Sequence, residues 1–393
     1  RASVISRQSE KAPLAMNGWA YSCTLSAGVI GAARRAMNQS VKWAQTRYQF
    51  ERPLAEFELV QQKIARMSAL TYTMESLLYM MTGMLDRQDR DIMVETAITK
   101  VFSSHMGWEV IDDAMQIMGG EGYMTENELD RIWRDNRIHR IVEGSNEVMQ
   151  SFIFAYGGKQ IAEQMMGIQQ ALAWDKEDSV MENVARILGN SMKGYLMRKA
   201  IPLGAELFLG IRSARPALRS VHPLLAAYAD RLATMTQRHA YYFKMASKWN
   251  REEIVKRQAV QARLADNAIY LFALSAALSR MDSQIRGGDY GLGYERDKAA
   301  LAHAFDLFEQ TFYRNIGELR HNTDVSMRKA SDAARRYNDS LPNSDFYIPE
   351  SSPTAAGTGK TPPVEHVKQF PGGTDATGGD GALGEAPAKE FKV

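Results

Sequence analysis

From Pro13 onward, apolar residues recur three and four positions apart and hardly ever alternate, so the chain reads as a series of long helices with few strand signals. A Pro-free stretch rich in small residues, about Asn17 to Arg47, predicts a helix packed closely against its neighbours, and Pro53 resets the chain after it. A second helix is expected from about Ala55 to Leu85, because Leu59, Ile64, Met67, Leu70, Met74, Leu77 and Met81 stay on one face. A third is expected from an Asp91 N-cap to the Gly119-Gly120 pair, completing an antiparallel bundle. A loop then leads to a helix capped by Ser145 and ending at Gly157-Gly158. Lys159 to about Glu177 reads as a helical connector into a second helical region, with helices near Glu177 to Lys199, Pro223 to Asn250, Glu252 to Ile285 and Tyr294 to Glu318. After Leu341, Pro, Gly, Thr and Ala leave almost nothing to bury, which predicts a disordered tail. The expected organisation is all-α: a linker over 1–11, a first helical domain over 12–160, a second over 161–340 and a tail over 341–393.

Composition narrows the function classes. With 393 residues, 45% hydrophobic and 24% charged, the chain can bury a substantial core. A formal net charge of +2 argues against nucleic acid or a strongly anionic surface as partner. Cys23 is the sole cysteine, which excludes an internal disulfide and any multi-cysteine metal site and suits a reducing cytoplasm or organelle matrix. The seven histidines show no spacing with carboxylates suited to a metal, so none is expected. No apolar run approaches the roughly 18 residues of a membrane span. The start, RASVISRQSE, has neither an initiator Met nor a signal-peptide core, and is expected to continue from upstream sequence.

Among the motifs, the tail's GTGKT has Thr354 where a phosphate-binding loop needs Gly, and no strand precedes it. The informative residues are two segments, Thr46 to Met67 and Gln116 to Gln150. They hold, in order, Arg47, Phe50 and Pro53; Gln116, Gly119, Gly120, Gly122 and Tyr123; Arg131, Arg134 and Asp135; and Ile141, Glu143, Gly144, Ser145 and Asn146. This order closely resembles the C-terminal helical domain of the acyl-CoA dehydrogenase flavoproteins, over about Ala12 to Lys159. The helices beyond look like the extra C-terminal domain of the very-long-chain members.

The resemblance implies a four-helix-bundle domain that binds FAD and desaturates an acyl-CoA between its α and β carbons, within fatty-acid β-oxidation. Glu143 would be the base that takes the α-proton, desolvated between substrate and flavin so that its pKa rises. Its backbone N–H would hold the thioester oxygen, and Gly144 would let the substrate approach. Arg47 and Phe50 match family positions at the flavin's pyrophosphate and adenine, with Gln116, Gly119 and Gly120 at the adenylate end, all serving the neighbouring subunit of a homodimer or larger assembly. Ser145 and Asn146 would sit by the flavin of their own subunit. Arg134 and Asp135 read as a structural ion pair. An electron-accepting flavoprotein, or another acceptor, would reoxidise the enzyme.

Two positions depart from the family pattern: Glu58 stands where Gln is usual, and Ser22 where many members carry a substrate-binding Arg. The family's flavin-ring and acyl pocket also draws on a helical and a β-rich domain, both expected upstream. Three other readings stay open: a non-catalytic assembly or interaction protein, an acyl-CoA oxidase, and peripheral membrane contact through a face near Arg212, Arg215 and Arg219.

Overall fold

The structure is a computed structural model that describes residues 12–89, 91–172, 181–182 and 194–341. Among these residues it is all-α apart from one short hairpin. Helix α1 (Ala12–Thr46) is followed by strands β1 (Tyr48–Gln49) and β2 (Arg52–Pro53), then by α2 (Glu58–Asp86) and α3 (Met93–Met118). A single turn α4 (Gly120–Tyr123) and helix α5 (Glu128–Arg137) lead to α6 (Asn146–Leu172). Then come α7 (Gly194–Leu209), α8 (Ala226–Asn250), α9 (Gln258–Gly287), α10 (Leu292–Glu318) and α11 (Asp324–Asn338). The expected tail and the linker over 1–11 lie outside the described residues, as does much of the helix expected near Glu177 to Lys199.

The chain divides into two units. One, Met16–Ile316, holds most of the helices. Its centre is α3, where Phe102, Val110, Ile111 and Ala114 are fully buried. Helix α2 lies against it through Met67, Met74 and Leu77, whose spacing puts them on one stripe. Helix α9, small along its buried face at Ala273, Ala276 and Ala277, packs on α2, α3 and α6. The Tyr72 hydroxyl donates to the Ala277 carbonyl at 3.1 Å, and the Arg280 guanidinium lies 4.7 Å over the Tyr72 ring while pairing with Glu75 at 3.1 Å. The other unit contains α11, an amphipathic helix with Asp324 in its first turn and Arg335 and Arg336 in its last, which suits the helix dipole.

Three local expectations are corrected. Asp91 does not cap α3: its own backbone is left-handed, at φ 60°, and Ile92 takes the cap position with no side-chain bond. The stretch read as a loop before Ser145 contains α5, which the sequence does encode locally. Asn127 accepts the Leu129 N–H, Glu128 and Asp130 occupy the first turn, and Arg134 and Arg137 the last. Leu129 is fully buried, and the Trp133 ring lies 4.8 Å from that of Trp108 on α3, tilted by 46°.

Nor does α6 stop at Gly157-Gly158; it runs on to Leu172. Gly158 serves helix contact instead of termination, because a Cβ there would fall 2.2 Å from Cζ of Phe243 on α8. Phe243 is itself buried and stacks 5.1 Å from Phe154, so its ring has little room to move. Gly158→Ala gains up to about 1 kcal/mol of helix propensity but incurs about 1–3 kcal/mol of overpacking, so it should destabilise the chain. Gly157 has nothing within 4 Å of a built Cβ, and Gly157→Ala should be neutral or stabilising. Parallel urea titrations of the two variants check the pair; equal midpoints would contradict the contact.

Candidate functional site

At the start of α6 the chain makes a tight reversal. After α5, the Ile141 and Val142 N–H groups both bond the Ile138 carbonyl, at 2.8 and 3.0 Å. Glu143 and Gly144 then follow with φ of 57° and 79°, two left-handed residues in a row. Gly144 adopts this without a steric penalty, whereas Glu143 stores on the order of 1–3 kcal/mol of strain that its surroundings must offset.

The support comes from α3. Lys100 is fully buried, and its Nζ donates to the Gly144 carbonyl at 2.7 Å and to Oδ1 of Asn146 at 2.9 Å. Asn146, also buried, is bonded to the Ser104 hydroxyl at 3.1 Å. Burial pushes the Lys100 ammonium down to about 8, while the nearby charges of Glu143 and Glu147 act to raise it. The Glu143 side chain is exposed in this chain. Ser145 Oγ reaches the Val148 N–H only at 3.5 Å, a weak form of the expected cap. Glu147, within hydrogen-bonding reach of its own N–H at the helix start, has its carboxyl held below the usual range.

A second feature lies at the other end of α3. The helix stops at Gly119, whose φ of 60° and ψ of −137° suit glycine alone. Gly119 and Gly120, with Arg47, Gln49 and Trp43, line a hollow of about 320 Å³. Apart from their own chain neighbours and local helix backbone, nothing lies within 4 Å of a Cβ built on either glycine, so that side is open to an incoming group. Arg47 is exposed and in no ion pair among the described residues, though the Glu121 carboxylate also borders the hollow. Apolar walls at Trp43, Leu54 and Ile117 beside a guanidinium fork fit a heterocycle carrying phosphate.

The hairpin beside this hollow carries Phe50 and Glu51 at its tip, with φ of 51° and 68°, the pair of positive values that a two-residue primed turn requires. Neither is a glycine, and Phe50 is 86% exposed. The ring is presented outward on a strained turn, edge-on to Phe57 at 6.4 Å.

The structure thus joins Arg47, Gly119 and Gly120 at one end of α3, and Glu143, Gly144, Ser145 and Asn146 at the other. Gln116 is exposed a turn before Gly119 and outside the hollow's lining. Arg134 and Asp135 form no ion pair among the described residues; as neighbours on α5 they point away from each other into solvent. Glu58 is exposed at the first position of α2. The side chain of Ser22 lies outside the described residues. Arg212 and Arg215 face α8: Arg215 pairs with Asp230 at 2.8 Å, and Arg212 lies 5.3 Å over the Tyr241 ring. Lys100 escaped the sequence reading, yet a signal was present: a lysine inside the apolar run Ile98, Val101, Phe102 of a core helix. Among the described residues no cluster of three or more His, Cys, Asp or Glu could hold a metal, and no helix is long and apolar enough to cross a membrane.

The chain is thus a helical bundle with a hollow bordered by Arg47 and Glu121 at one end of its central helix and a strained acidic turn at the other. Residues 21–156 match the family model described as acyl-CoA dehydrogenase, C-terminal domain. The chain belongs to the acyl-CoA dehydrogenase family. It is 32% identical over 273 residues to the mitochondrial very long-chain specific acyl-CoA dehydrogenase of Macaca fascicularis, covering 69% of this chain and 39% of that protein. The human protein of the same description is 32% identical over 306 residues, covering 74% and 44%. The chain therefore spans about two fifths of the length of the curated relatives it matches. In fold it is similar to a crystal structure of an acyl-CoA dehydrogenase complexed with FAD from Bacillus anthracis, with a TM-score of 0.54 and 24% identity over 80% of this chain and 51% of that one.

Proposed function

We propose that this chain supplies the base and the adenylate cradle of an FAD-dependent acyl-CoA dehydrogenase, desaturating a long acyl-CoA between its α and β carbons. The observation that carries the reading is Glu143: an exposed carboxylate on a left-handed turn whose following carbonyl is fixed from beneath by a buried ammonium. Its carboxylate would take the α-proton, and its N–H would donate to the thioester oxygen as enolate charge develops. Packing of substrate over the turn would exclude water and strengthen both interactions.

When bound, FAD supplies the hydride acceptor for the β-carbon. Arg47 would neutralise its pyrophosphate, Gly119 and Gly120 would admit its adenylate end, and Phe50 would lie against the adenine. Ser145 and Asn146 belong to the other end. Lys100 and Gly119 lie nineteen positions apart along α3 and its cap, roughly 28 Å at the helical rise. This spacing supports two half-sites that serve different cofactors, and hence a homodimer or larger assembly. The very long-chain specific, mitochondrial relatives support a long acyl chain and a mitochondrial location; a matrix setting, fatty-acid β-oxidation and an electron-accepting flavoprotein as partner belong to the same proposal. The division at residue 160 into two helical domains belongs to the same proposal.

Anaerobic addition of short, medium and long acyl-CoAs to the flavin-loaded protein should bleach the flavin, most completely with the long ones. No bleaching with any of them would overturn the activity. Rapid reoxidation by oxygen alone would make the protein an oxidase instead. Arg47→Ala should yield flavin-poor protein with a weakened dimer, because a dispersed pyrophosphate charge loses its bidentate partner. Flavin content by absorbance and mass by light scattering check this, and full occupancy in an intact dimer would refute the role.

A further inference from the structure

We propose that Lys100 is a positioning residue for the Glu143 carboxylate, holding the Glu143-Gly144 turn in its left-handed conformation through the Gly144 carbonyl and Asn146; the inference rests on Glu143 being the base.

Three observations carry it. First, the ammonium is fully buried in the N-terminal third of the central helix, an environment that penalises a charge unless its donors are used. Two of those donors go to the turn and its exit, at 2.7 and 2.9 Å, and they straddle Ser145. Second, the Gly144 carbonyl belongs to the peptide that immediately follows the two positive-φ residues, so fixing its direction fixes where the turn can go. Third, Asn146 is held from its other side by Ser104, also on α3, one helical turn from Lys100. The turn is therefore clamped to a rigid helix at two points, whereas the Glu143 side chain itself is exposed and has no such tie. A displacement of about 1 Å at a reacting group can cost on the order of a hundredfold in rate.

A purely structural lysine, one that only knits α3 to α6, predicts something different, and the two roles separate experimentally. Lys100→Met keeps the length and apolar stem but removes charge and donors. In the full chain loaded with flavin, it should slow flavin reduction by a long acyl-CoA about 10- to 100-fold with little change in acyl-CoA affinity. In a Glu143→Gln background the same change should have no further effect, because there is no base left to position. Amide exchange over residues 141–147 should accelerate while that of Phe102 and Met106 on α3 stays slow. If Lys100→Met fails to fold, Lys100→Gln, which retains a shorter donor, is read in the same way.

Equal slowing in both backgrounds would overturn the positioning role, as would unchanged exchange over the turn. Failure of the base reading is separately visible: Glu143→Gln alone would then reduce flavin at the parental rate, while the exchange measurement still decides whether Lys100 holds the turn.

Discussion

Glu143→Gln should slow flavin reduction by acyl-CoA by about 10²–10⁴-fold, the usual contribution of a positioned general base, and leave flavin binding and stability intact. The separation of effects follows from geometry. The side chain is exposed, so the substitution removes no packing, and Gln tolerates the left-handed backbone about as well as Glu. Only the proton acceptor is lost. Glu147 lies about one helical turn further on, the nearest alternative. Its carboxyl is held below the usual range by its place at the start of α6, which makes it the poorer acceptor. Glu147→Gln should accordingly change the rate only a few-fold. Stopped-flow absorbance under anaerobic conditions measures both variants; a parental rate for Glu143→Gln together with a collapse for Glu147→Gln would transfer the role.

The largest expected loss of stability comes from Phe102→Ala, about 3–5 kcal/mol for a fully buried aromatic replaced by a cavity. Phe102 is fully buried on α3, and its ring sits 5.5 Å from Phe308 on α10, which in turn stacks 5.0 Å from Tyr270 on α9. The three rings tie the central helix to two helices more than 150 positions later in the chain. Cavity formation there should therefore weaken the late helices as well as α3. Tryptophan fluorescence, with Trp43 and Trp133 packed against this core among its reporters, and far-ultraviolet circular dichroism should shift together to lower urea. A fluorescence transition that moves alone, leaving a separate helical transition behind, would contradict the linkage.

Helix identity was legible where burial has a strict period. The Met67, Leu70, Met74, Leu77 and Met81 stripe announces α2, and the core positions of α8, α9 and α10 lie within their expected limits. Punctuation was harder to read, because one residue type serves several ends. A glycine pair can close a helix, as Gly119 does for α3, or admit a neighbour's ring, as Gly158 does inside α6, and only the tertiary partner distinguishes them. Asp91 has the chemistry of a cap but stands one position too early.

The family resemblance pointed to the Glu143 turn and to Arg47 with its glycines. It could not point to what holds them, since Lys100 lies 43 positions before Glu143 in a helix read as core. The desolvated setting expected for the Glu143 carboxylate likewise depends on groups other than this chain's own side chains, for here it faces outward.

The uninterrupted course of α6 bears on how separable the late helices are. The helix begins three residues after Glu143 and extends about 40 Å at the helical rise. Along the way Gln150 bonds Asp266 of α9 at 2.6 Å, Phe154 stacks on Phe243 of α8, and Gly158 admits the same ring. The acidic turn is thus seated on a beam with one end in the family's common bundle and its middle walled by the later helices. A chain shortened before α8 would uncover the Phe154 face of that beam and loosen the mooring of the turn. The later helices thus wall the outer face of α6, and a chain without them would need a new apolar partner for Phe154 to keep the turn moored.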